Sequence, residues 1–287
     1  MDISFYAANE NSAPYSIAVG ADGKIWFTQN KADKIAKLSQ DGSISEYLIP
    51  THDCGVSIIA AAEHGMYFTE CQANRIGFIR YDGNISEYGL ADGCSPYGIA
   101  VDDEQAIWFT CMSSNQIGRM AGSEIVYFSV PTPASYPSFI AFGYDGALWF
   151  SENQGNKIGR ITKSGDIAEF GLPLHGSAPV GIASGKDAIW FTEIMGNRIG
   201  KIDCNGKMME YVIPTANARP HAIATSEDGL AAFTEWGANK IGVIGKDGNI
   251  SEYDIPIESA EPHGIVFGSQ GCLWFALESG VIGKLTL

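Results

Sequence analysis

Apolar residues come in short runs of four to seven, rich in Ile, Val and aromatic side chains, each closed by Gly, Asp-Gly or Pro. No helical spacing appears between the runs, so the pattern predicts strands and tight turns throughout. The runs repeat. IWFT (25–28), MYFT (66–69), IWFT (107–110), LWFS (148–151), IWFT (189–192), AAFT (231–234) and LWFA (273–276) follow one another at spacings of 41, 41, 41, 41, 42 and 42. Each is preceded by a PYSIAV-like run and followed by a KIGRI-like run, and the first six continue into an ISEY-like run.

Four strands in each of seven units predict an all-β fold: a seven-bladed β-propeller with four-stranded antiparallel blades, occupying residues 1–287 as one domain. The last unit stops at its third strand, VIGKL, and the missing fourth is ISFY at residues 3–6. The ring is therefore expected to be closed by the N-terminal strand, because an unpaired third strand would expose backbone donors and acceptors.

Antiparallel order puts the start of each first strand and the end of each second strand at one mouth of the channel. The short Asp-Gly turns lie at the other, so a site is expected at the mouth with the longer loops. A residue present in most repeats serves the blade. Glu70, Glu152, Glu193 and Glu235, with Gln29 in the same register, fall in that group, as do Trp26, Trp108, Trp149, Trp190 and Trp274.

Departures from the repeat are more informative. Around the proline that opens the first strand, only the sixth and seventh units carry histidine (His221, His263), and only the seventh adds a carboxylate, Glu261. In the second unit Gly55 is read in the place of that proline, between Cys54 and Val56. In the seventh unit Leu277 takes the repeated glutamate position and Glu278 follows it. Two imidazoles and two carboxylates are thus expected to converge. His52, His64 and His175 are read as surface or loop residues.

A net charge of -15 argues against the basic face that nucleic-acid binding requires. No apolar run is long enough to span a membrane, and the first residues lack a basic segment with an apolar stretch behind it, so a cytoplasmic protein is expected. The six cysteines form no Cys-x-x-Cys pair and are read as small apolar side chains rather than disulfides.

A carboxylate pair without cysteine suits a hard cation such as Mg²⁺, and a neutral imidazole beside it can accept a proton. No serine or cysteine has a nucleophile's setting. These residues point to metal-assisted acid–base chemistry and leave the reaction open.

The stretches NARPHAIATSEDGLAAFTEWGANKIG (217–242), SAEPHGI (259–265) and LWFALESGVIGKLTL (273–287) resemble the streptogramin B lyase, or virginiamycin B lyase, family, and the similarity runs through all seven repeats. That resemblance implies a Mg²⁺-dependent lyase that opens type B streptogramin antibiotics at their ester bond by elimination, conferring resistance. It makes His263 the proton acceptor, Glu261 and Glu278 the metal ligands, and His221 a substrate contact or acid. The partner would be a small cyclic depsipeptide bound by a monomer. Tyr15, Tyr97, Tyr136, Met112 and Trp236 occupy mouth positions where an apolar macrocycle would rest. A metal-dependent lactone hydrolase and a non-catalytic binding propeller stay open as alternatives.

Overall fold

The computed structural model describes residues 3–9 and 11–287. Its strands form seven four-stranded antiparallel sheets, each made of four strands in the order the repeat predicts. The first blade runs from Pro14–Val19 through Ile25–Gln29 and Lys34–Leu38 to Ile44–Leu48. In the seventh, Pro262–Phe267, Cys272–Leu277 and Val281–Thr286 are completed by Ile3–Ala7, which pairs antiparallel with Val281–Thr286 from Ile3 opposite Leu285 to Ala7 opposite Val281. The one helical element among the described residues is a 3₁₀ turn, Ser269–Gly271, between the first two strands of that blade.

Each repeated letter of the motif has a packing task. The Trp26, Trp108 and Trp149 rings are fully buried, and their indole N–H groups donate to Asp22, Asp102 and Asp145 at 3.1, 2.9 and 3.0 Å. The phenylalanine lies against the glycine of the third strand in six blades. A Cβ added at Gly77, Gly118, Gly159, Gly200, Gly242 or Gly283 would stand 2.0–2.2 Å from that ring, so a larger residue there would force the ring to shift; the first blade has Ala36 opposite Phe27. The threonine or serine stitches blades together: Thr28, Thr69, Thr110, Ser151, Thr192 and Thr234 each donate to a backbone carbonyl of the next blade's inner strand at 2.6–2.9 Å. Ala276 holds this position in the seventh blade and has no hydroxyl to donate. There the paired strand Ile3–Ala7 closes the ring, with Ile3 and Phe5 packed on the core of the last blades.

Two expectations are corrected. Backbone pairing puts Val56, not Gly55, in the proline register of the second blade, since Val56 pairs with Glu70 as Pro137 pairs with Glu152. Gly55 (φ 64) occupies the preceding left-handed position, which Ala13, Ser95, Tyr136, Ala178, Arg219 and Glu261 fill elsewhere. The residues flanking that register are therefore Gly55 and Ser57. Second, Cys94 and Cys111 form a disulfide, with Cα atoms 4.4 Å apart, while Cys54, Cys71, Cys204 and Cys272 are free. Cys111 ends a second strand and Cys94 lies in the loop entering the first. The strand-end register that brings Glu261 to Glu278 across the same separation of 17 residues also brings these cysteines together.

Candidate active site at one mouth of the channel

The seventh blade places its two carboxylates by simple backbone logic. Pro262 and Leu277 form the last register pair of the inner and second strands, so Glu261 and Glu278 flank that pair at the same end. The Glu278 N–H donates to the Glu261 carbonyl at 3.2 Å, which fixes their spacing. Ligand atoms of Glu261, His263 and Glu278 all lie within 4.8 Å of one another. The four groups singled out by departure from the repeat do converge.

The histidines are anchored from the neighbouring blades. Thr192 Oγ1 donates to the His221 carbonyl at 2.9 Å and Thr234 Oγ1 to the His263 carbonyl at 2.8 Å. Both side chains are largely buried, and the rings meet edge to face with centroids 4.7 Å apart. His263 Nε2 stands 3.7 Å from Glu278 Oε1. Tyr15 lies against His263 at 4.5 Å between centroids, and its hydroxyl is 3.4 Å from His221 Nε2 and 2.5 Å from the Tyr97 hydroxyl. The Nδ1 atoms of both histidines are buried without a protein partner.

Burial sets the protonation states. It pushes His221 down to about 4 and His263 down to about 3, the latter also opposed by His221 and Lys31, so both imidazoles are neutral at physiological pH. A neutral imidazole can take a proton. Burial and the neighbouring Glu261 carboxyl hold Glu278 above the usual carboxylate range. Burial likewise raises Tyr15 to about 12 and Tyr97 further, so both phenols stay protonated and available as donors.

Tyr15 and Tyr97 therefore belong to the histidine cluster itself. Trp236 packs 6.2 Å from His263 and faces a groove of about 730 Å³ between the sixth and seventh blades, bordered also by Arg219, Asn239 and Glu261. Tyr136 stands exposed at the mouth in a left-handed conformation (φ 57). Met112 follows Cys111 in the register of Trp236 and Glu278 and is half-buried. His52, His64 and His175 are exposed, as read from the sequence.

Three residues near the cluster were missed. Phe139 stands edge-on to His221 at 5.8 Å. Arg219 stacks its guanidinium 5.6 Å from the Trp236 ring, and Lys31 places Nζ 4.0 Å from Glu278 Oε2. Both cations break the repeat at their positions, and that signal could have found them.

The fold is thus a seven-bladed propeller in which two imidazoles and two carboxylates that depart from the repeat gather at one mouth. The chain belongs to the Virginiamycin B lyase family, whose model matches residues 3–285. A streptogramin B lyase structure is similar at 47% identity with a TM-score of 0.97, covering 100% of this chain and 97% of that one. A catalytically inactive histidine-to-alanine variant of virginiamycin B lyase from Staphylococcus aureus, solved with quinupristin, is similar at 46% identity with a TM-score of 0.94, covering 100% of each chain. The curated virginiamycin B lyase of Staphylococcus aureus is 50% identical over 43 residues, a stretch spanning 15% of this chain and 14% of that protein.

Proposed function

We propose that this protein linearises type B streptogramins by elimination at the ester bond, working as a cytoplasmic monomer and so conferring resistance to these antibiotics. The observation that carries the proposal is the placing of a neutral, buried His263 within 4.8 Å of the paired carboxylates Glu261 and Glu278. The quinupristin-bound relative supports a cyclic depsipeptide as the ligand class.

His263 Nε2 takes the α-proton of the threonyl residue whose side-chain oxygen forms the ester. The electron pair of that C–H bond becomes the Cα=Cβ double bond, the Cβ–O bond breaks, and the ester leaves as a carboxylate. No water enters. His221 fixes the approach of the substrate through its contact with His263 and with the Tyr15 hydroxyl. Tyr15, Tyr97 and Trp236 offer ring faces to the macrocycle, with Tyr136 and Met112 further along the mouth.

The donor set fits Mg²⁺. Two adjacent carboxylates give hard oxygen ligands, and burial first, with the Glu261 carboxyl second, holds Glu278 above the usual carboxylate range, a cost that a bound cation would relieve. Glu261 and Glu278 would hold the ion, which supplies positive charge for the departing carboxylate. Mass spectrometry of the product tests the proposal: elimination gives a linear peptide isomeric with the substrate. A product heavier by one water would favour the lactone hydrolase, and no reaction would favour a binding propeller.

A further inference from the structure

The position two residues beyond the end of each second strand reads Lys31, Gln72, Ser113, Gln154, Met195, Gly237 and Ser279 around the ring. Only the first blade carries a charge there. Because the ring closes, the first blade lies beside the seventh, and Lys31 reaches across that seam toward Glu278, with Nζ 4.0 Å from Oε2. The other oxygen, Oε1, faces His263 at 3.7 Å. Glu278 thus lies between an imidazole on one side and an ammonium on the other. The Lys31 backbone is held in place by an N–H bond to the Ser12 carbonyl at 3.3 Å. The second unrepeated cation of this mouth, Arg219, stacks on Trp236.

We infer that Lys31 is a tethered counter-cation of the carboxylate pair: it occupies Glu278 in the resting protein and is displaced when a divalent cation binds. The inference rests on the metal reading proposed above. Two opposing effects decide its sign. An exposed ion pair orients its partner only weakly, and the Lys31 side chain is 63% exposed. The repulsion between the ammonium and an incoming ion doubles with that ion's charge. Competition therefore outweighs orientation, and Lys31 lowers the divalent affinity of the site. It acts as a competitor that tunes when the site is loaded.

The test is direct binding on the full chain, by calorimetry with Mg²⁺ and by the electron paramagnetic resonance signal of free Mn²⁺, without substrate. Lys31→Met is expected to bind both ions about five- to tenfold tighter than wild type at low salt, with the gap closing as salt rises to about 0.5 M. Lys31→Arg keeps the charge and is expected to behave as wild type. Because Lys31 is exposed, both variants should melt like wild type. Equal or weaker binding by Lys31→Met, while wild type binds and Glu278→Gln does not, would overturn the role of Lys31 and leave the metal reading intact. No binding by wild type would overturn both.

Discussion

Glu235→Gln should stabilise the protein at alkaline pH and leave it nearly unchanged in acid. Glu235 ends the second strand of the sixth blade, is fully buried, and has neither carboxylate oxygen paired. Burial, with Glu252 nearby, raises its carboxyl from 4.5 to about 8, so at neutral pH it is held largely as the acid. The first blade shows what this position prefers: Gln29, in the same register, donates its amide to Glu46 at 2.9 Å. A glutamine offers that donor at every pH. A carboxyl whose folded value lies above its unfolded value stabilises the fold fully below about 4.5, and that contribution is lost as pH rises to about 8. At about 1.4 kcal/mol per pH unit the whole interval amounts to about 5 kcal/mol, and relaxation around the charged form reduces it to about 2. In thermal melts the variant should match wild type near pH 5 and exceed it by about 4–8 °C near pH 9. An equal gap at both pH values, or a variant less stable at pH 9, would refute the reasoning.

Removing residues 1–7 strips the outer strand from the seventh blade, deletes the packing of Ile3 and Phe5 and leaves the Val281–Thr286 edge unpaired, so stability should fall by about 2–4 kcal/mol; an unchanged melting temperature would contradict ring closure. His263→Ala should lower turnover by at least about 100-fold, and by more than His221→Ala, in steady-state assays of the linear product. Glu261→Gln and Glu278→Gln should lose Mg²⁺ dependence while circular dichroism and melting stay close to wild type. Thiol titration of the unfolded, unreduced chain should find four free cysteines, with Cys94 and Cys111 protected.

The architecture was readable because the repeat is enforced by packing at every turn. The Phe–Gly contact and the hydroxyl stitch each favour a small set of residues at a fixed register, so the blade shows itself as letters. The site was readable for the opposite reason: Glu261, His263, Glu278 and His221 are residues the blade does not require. What stayed hidden depends on pairing between chain segments. Val56 looks nothing like a proline, yet its partner Glu70 fixes its register. Cys94 and Cys111 meet only once two strands align. Lys31 is separated from Glu278 by nearly the whole chain, and they become neighbours only through closure of the ring. Phe139, two blades away from His221, gave no sign of the ring contact they make.

The central claim is that the site eliminates rather than hydrolyses, and the mass of the product tests it most directly. Wild-type protein would be incubated with a type B streptogramin and Mg²⁺ in water enriched in ¹⁸O, and the linear product weighed. The account predicts a mass equal to that of the cyclic substrate, no incorporated label, and the absorbance of a conjugated dehydroamino acid. A linear product heavier by one labelled water would contradict it.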